Sequence, residues 1–276
     1  MQGWLPALLV LPAILLIIFV LIIPLFRILR LSLFDPTFSL EHYQRLFTVP
    51  IYSRQLIRTF RTALSVTALC ALLGYPVAYL MVHVKRSVAA LMLILVVLPF
   101  FTSFLVRTFA WRILLGRRGI INEALTTLGI LDQPLTLLYN SQGVHVGTVH
   151  VMLPFMILPL YSVMTAIDPD LVPAARSLGA NAFRAFRKVF LPLSIPGVVS
   201  GAVLIFVISL GFFLTPALLG GPQNTMIAQS IEINVNTLLE WGFASAEAIV
   251  LLIFTLLILG LLKQFFNVDI LSGRLF

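Results

Sequence analysis

Residues 168–192 read DPDLVPAARSLGANAFRAFRKVFLP, a polar and patterned segment set between two long apolar runs. Asp168 has the chemistry of a helix N-cap, Pro169 suits a first helical position, and Asp170 would sit in the first turn, where the helix dipole favours an acid. Leu171, Ala175 and Leu178 fall at i, i+4 and i+7, which predicts one shared helical face. Gly179 predicts a helix stop, because glycine accepts the left-handed conformation that ends helices. Asn181 is placed to cap a second helix with Phe183, Phe186 and Phe190 on one side and Arg184, Arg187 and Lys188 on the other. Pro192 is expected to close that helix. Two short amphipathic helices meeting at a glycine predict a docking element.

The composition around this segment sets the class. Of 276 residues, 60% are hydrophobic and 10% charged, and the mean hydropathy is +1.08. A soluble domain carries roughly 25% charged residues, so the chain belongs in lipid. A spanning helix needs about 20 apolar residues, and six runs qualify: 5–26, 62–84, 88–109, 144–167, 195–219 and 243–262. Sixteen glycines and 16 prolines are tolerated in such helices, because neighbouring segments satisfy the freed backbone groups. The first run is longer than a signal-peptide core, lacks a basic leader and shows no small-residue cleavage site, so it reads as a membrane helix. Cys70 is the single cysteine and lies mid-span; it predicts a free apolar thiol and no disulfide framework. The fold class is therefore an all-α polytopic membrane protein, read as one transmembrane domain over 1–276 with its membrane core at about 58–262.

In chain order, residues 32–61 read as an interfacial loop with a helical turn or two. Gly74-Tyr75-Pro76 predicts a kink in the second span, since proline removes a backbone donor. His83, Lys85 and Arg86 mark a very short turn, so spans two and three should be antiparallel neighbours. Arg107 and Arg112 flank Phe109 and Trp111, a mixture suited to the membrane interface. Lys and Arg divide eight to ten between the two sides implied by six spans, so the positive-inside rule does not orient the chain.

Several chemistries are excluded. There is no GxxxxGK[ST] phosphate loop, HExxH, CxxC or GxSxG. The four histidines are scattered, and His145 and His150 stand five apart, a poor spacing for a shared helical face. No catalytic, cofactor or metal site and no nucleic-acid partner is expected. Candidates for a solute pathway are Phe212, Phe213 and Thr215 on span five, whose other reading is plain packing, and Glu247 on span six, because intramembrane acids are costly and usually functional. Glu247 has a second reading, as structural glue paired with Arg107 or Arg112. The aromatic side of the second amphipathic helix packs either on the protein's own helix ends or on a partner. Arg54, Arg58, Arg117 and Arg118 meet either an acidic protein or lipid head groups.

The 168–192 segment also carries a spacing that resembles the inner-membrane permease subunits of binding-protein-dependent ABC importers. Their signature is E-A-A, three residues, G, nine residues, then I-x-L-P. Here Pro173-Ala174-Ala175, Gly179 and Val189-Phe190-Leu191-Pro192 match in register, with Pro173 in place of Glu and Val189 in place of Ile. LGYPVAYLM at 73–81, SFLVRTFAW at 103–111 and ALLGGP at 217–222 look like the spermidine/putrescine branch of that family. The resemblance implies the type I ABC importer permease fold, with six spans in a bacterial inner membrane and both termini cytoplasmic. It implies a cytoplasmic ABC ATPase dimer as the partner of a coupling loop at 168–192, through Ala174, Ala175, Leu178, Gly179, Phe183, Arg184, Arg187, Leu191 and Pro192. It also implies a second permease subunit forming a heterodimer, a periplasmic or extracellular solute-binding protein, and surrounding membrane lipid. The implied function is ATP-driven import of a polyamine or related amino-group compound, with ATP hydrolysed by the partner subunit. Against this stands a rival reading, a secondary transporter or channel that works without an ATPase.

Overall fold

Long apolar stretches with little charge can satisfy their backbone only by helix formation in lipid, and helices are what the chain forms. The computed structural model describes residues 4–35 and 37–266. The first span is α1 (Trp4–Ile17), a π turn at Ile18–Ile22, and α2 (Ile23–Leu33). A short helix α3 (Glu41–Thr48) precedes α4 (Pro50–His83). Then come α5 (Arg86–Val97), α6 (Phe104–Leu114), α7 (Ile120–Thr127) and α8 (Ser141–Thr165). The loop helices α9 (Leu171–Ser177) and α10 (Ala182–Ala185) lead through a second π turn into α11 (Leu191–Leu210). The chain ends in α12 (Leu214–Leu219), α13 (Ile227–Asn236) and α14 (Trp241–Phe266). Among the described residues five helices are long and apolar enough to cross a membrane, and six if the bent α5–α6 pair counts as one span.

α4, α8 and α11 pack together at the centre. Their shared core holds Val66, Cys70, Met152, Met156, Ile157, Leu160 and Ile205. With no hydrophobic drive between helices in lipid, close approach depends on small residues. On α11 a Cβ at Gly201 would meet Met156 Sδ at 2.8 Å, and one at Gly197 would meet Leu160 Cα at 3.1 Å. Those two glycines are what let α11 lie against α8. α14 packs on α2 and α13, and α2 continues an α1 whose side chains from Val10 onward are exposed.

Four expectations from the sequence are corrected. The 32–61 connector is not a loop: α3 and the first twelve residues of α4 occupy it, and α4 reaches 34 residues, or about 51 Å. The third span is not continuous, because Pro99 and a 3-10 turn at Leu98–Phe101 precede a 100° bend into α6. The fifth span stops at Leu210 rather than 219, and Gly211 opens a break before α12. Pro192 does not close its helix, which runs on from Ala182 to Leu210. A proline ring inside a helix collides with the carbonyl four residues back, and the π turn at Phe186–Phe190 relieves this by widening the preceding turn. The same device recurs in the first span, where the π turn Ile18–Ile22 comes just before Pro24.

Candidate functional site

The 168–192 segment is built from the end of α8. Asp168 Oδ1 accepts the Asp170 backbone N–H at 2.9 Å, an Asx turn that re-aims the chain. Helix α9 therefore starts at Leu171, later than an N-cap at Asp168 would place it. Pro173 is then its third residue, where a backbone N–H has no intrahelical partner to lose.

Gly179 ends α9 with φ +89°. Its N–H donates to Arg176 O at 3.0 Å, and Ala180 N–H donates to Ala175 O at 3.1 Å, the paired bonds of a Schellman stop. Asn181 Oδ1 accepts Arg184 N–H at 2.8 Å and caps the next helix.

The aromatic face predicted for this helix divides. Phe190 is buried and Phe186 half-buried, while Phe183 is 70% exposed. Tyr79 meets Phe186 and Phe190 edge-on, with ring centroids at 5.6 and 5.1 Å. His83 lies 5.8 Å from Phe190, and Tyr75 OH shares a 2.8 Å hydrogen bond with Ser194 Oγ. Tyr75, Tyr79 and His83 fall at i, i+4 and i+8 of α4 and make the seat for the loop. Sequence reasoning did not single them out, although that aromatic stripe at helical spacing was a usable signal.

Around Gly179 the loop leaves a shallow cavity of about 270 Å³ lined by Ala175, Leu178, Gly179, Ala180, Arg184, Ala185, Lys188 and Val189. Leu178, at its rim, is 90% exposed. Ala174, Arg184 and Arg187 are exposed, and Leu191 is partly buried where the loop enters α11. The result is a held loop that presents two bare apolar side chains, Leu178 and Phe183, beside cations.

The pathway candidates do not converge on one point. Phe212 lies in the break after α11 and meets Phe104 of α6 edge-on at 5.1 Å. Phe213 is half-exposed, and Thr215 is buried with no hydrogen-bond partner for its hydroxyl among the described residues. Glu247 is fully buried on α14 and joins α13 instead. Ser230 Oγ donates to Glu247 Oε1 at 2.7 Å, and Asn234 Nδ2 donates to Oε2 at 2.9 Å. The expected pairing with Arg107 or Arg112 is not made. Arg107 stacks over Phe104 and Arg112 donates to Tyr139 OH at 2.8 Å.

The end of the bundle opposite the loop is interlocked. Arg45 pairs with Glu240 at 2.6 Å and donates to Tyr52 OH at 3.1 Å. Burial opposes its charge, but these bonds outweigh that cost and hold the guanidinium above its ordinary pKa. Its guanidinium also lies over the Phe243 ring at 4.4 Å.

A multi-span helical bundle with a capped, exposed loop joining two of its three central helices, α8 and α11, fits the membrane subunit of an ABC importer. The comparisons make this specific. The chain belongs to the family of binding-protein-dependent transport system inner membrane components, whose model matches residues 70–267. It is 35% identical over 216 residues to the spermidine/putrescine transport system permease protein PotB of Escherichia coli (strain K12), covering 78% of each chain. It is 38% identical over 211 residues to PotB of Haemophilus influenzae, covering 76% of this chain and 73% of that one. A crystal structure of a bacterial alginate ABC transporter, in complex with its alginate pentasaccharide-bound periplasmic protein, superposes with a TM-score of 0.75 at 21% identity, covering 95% and 93% of the two chains. The protein is thus a multi-pass inner-membrane permease subunit, a transport component and not an enzyme, working with a binding protein and the other parts of an ABC system.

Proposed function

We propose that the chain forms one transmembrane permease domain over 1–276, with its membrane core at about 58–262, and pairs with a second, non-identical permease to import a polyamine or related amino-group compound. Its 168–192 loop seats in a cleft of a cytoplasmic ABC ATPase dimer, which places both termini in the cytoplasm. A solute-binding protein delivers the solute to the opposite face.

The observation that carries this reading is the loop itself. Ala174, Ala175, Gly179, Leu191 and Pro192 keep the family spacing, and the fold leaves Leu178 and Phe183 bare beside Arg184 and Arg187. Two large apolar side chains held bare on a capped loop, in register with the family spacing, support a docking role for it. The solute class rests on the relatives named for spermidine and putrescine. Phe212, Phe213 and Thr215 line the pathway where α11 breaks, and Glu247 acts through α13 from its closed site.

Co-purification with the products of neighbouring genes tests the assembly, with two ATPases and a second permease as the expected result. Gly179→Asp places a charged side chain at a positive φ in the docking loop and should abolish solute-stimulated ATP hydrolysis. Transport that persists in that variant, or without any ATPase, would overturn the reading. A thermal-shift screen of polyamines and amino-group compounds on the binding protein tests the solute.

A further inference from the structure

The first three turns of α4 stand apart from the rest of that helix. Arg54, Arg58 and Arg61 fall at i, i+4 and i+7, so they form one ridge. Arg54 and Arg61 are exposed and Arg58 is half-buried. The two ion pairs found among the described residues are His42–Asp35 and Arg45–Glu240, so no acid of the described chain neutralises the ridge.

The ridge is held in place. Arg58 Nη1 donates to Thr225 O at 3.2 Å, and Arg54 Nε donates to Pro50 O at 3.0 Å. It separates two concave facets. One, of about 320 Å³, is lined by Arg54, Ile57, Arg58 and Arg61. The other, of about 440 Å³, adds Ile51, Gln55 and the Pro222–Thr225 turn to Arg54 and Arg58. Ile51 and Ile57 are 56% and 52% exposed, which gives the charged ridge apolar anchors.

We propose that this ridge is a docking point for an acidic surface of the solute-binding protein. The inference rests on the orientation given above, since α4 runs from the ridge to His83 under the 168–192 loop, so the two sites lie at opposite ends of one helix. The apolar run of α4 begins near Thr62. At 1.5 Å per residue, Arg58 stands about 6 Å and Arg54 about 12 Å beyond that start. The head-group layer is only about 5–8 Å deep on each side, so Arg61 and Arg58 lie at head-group level and Arg54, at the outer end of the ridge, projects past it. Nor is the ridge a solute contact, because guanidinium groups repel a cationic amine. An acidic protein surface satisfies both the height and the sign, and charge pairs of this kind speed and orient encounter.

The test uses the whole importer complex in lipid nanodiscs. ATP hydrolysis is followed against the concentration of solute-loaded binding protein. Arg54→Glu/Arg58→Glu should raise the half-saturating concentration by about tenfold at low salt, and should flatten its salt dependence. Arg54→Glu alone, at an exposed side chain whose hydrogen bond among the described residues is to Pro50 O of its own turn, should give a smaller shift in the same direction and guards against a folding artefact. An unchanged half-saturating concentration in both variants overturns the proposal. So does a wild-type complex whose half-saturating concentration shifts as far when anionic lipid is withdrawn, which would assign the ridge to lipid. If the importer reading itself were wrong, the wild type would show no stimulation by the binding protein at all.

Discussion

The two ends of α4 are held by different physics. At its C-terminal end the 168–192 loop rests on rings, with Phe186 and Phe190 seated against Tyr79 and His83, and it leaves Leu178 and Phe183 bare. At its N-terminal end α3, α13 and α14 are tied by polar bonds: Thr59 Oγ1 accepts the Ile227 N–H at 2.9 Å, Arg45 bridges Glu240 and Tyr52, and Glu247 clamps α13. The polar end satisfies most of its groups within the chain. The loop end leaves apolar surface to be covered by something else. Buried polar bonds fix one geometry because misplacement orphans a group, whereas ring contacts tolerate small shifts. The contacts of the loop end are thus less geometrically exacting than those of the other end.

The sharpest way to break the polar end is Glu247→Ala. Ser230 and Asn234 would lose their acceptor in a site that is fully buried, and a cavity would open beside them. The expected loss is about 4 kcal/mol, read as a large fall in the thermal unfolding temperature of the detergent-solubilised complex. Glu247→Gln keeps an acceptor and should recover most of it. A small effect of the alanine variant would show that the buried network does not hold α13.

At the loop end the corresponding change is Phe190→Ala. It removes a buried ring from contact with Tyr79 and His83, at about 3 kcal/mol, and should expose residues 168–192 to limited proteolysis. Leu178→Ala and Phe183→Ala separate stability from docking. Both side chains are largely exposed, so unfolding should shift by less than about 0.5 kcal/mol, while recovery of the ATPase in pull-downs should fall. If both properties were unchanged, the bare apolar surface would not be a binding surface.

The contrast between the ends also marks what the sequence could show. Apolar runs announced the spans, and Gly179 and Asn181 announced their caps, because each signal is local. The register match at Ala174, Ala175, Gly179 and Leu191-Pro192 was legible for the same reason. What stayed hidden needed partners distant in sequence. Glu247 is satisfied by Ser230 and Asn234 rather than by an arginine, and nothing in the spacing distinguishes these. The continuation of the helix through Pro192 depends on a π turn, which leaves no residue signature of its own. Phe183 is exposed while Phe186 and Phe190 pack against Tyr79 of α4, a difference that the spacing of the three rings does not show.

The smallest expected effect concerns Pro173, where the family has glutamate. A glutamate at the third position of a helix commonly reaches back to accept the N-cap backbone N–H. In this chain the N-cap is Asp170, and its N–H is already taken by Asp168 Oδ1 at 2.9 Å. Asp168 therefore does for the backbone what the missing glutamate would do. Pro173→Glu alone should be close to neutral, because the gain at the helix N-terminus and the loss of a chain-stiffening proline are each about 0.5 kcal/mol and opposite in sign. Asp168→Ala should cost about 1 kcal/mol, and Pro173→Glu should restore part of it in the double variant. Purely additive costs would mean that the two side chains serve different groups. Recovery in the double variant would show that the loop keeps one capping bond and has changed only the residue that supplies it.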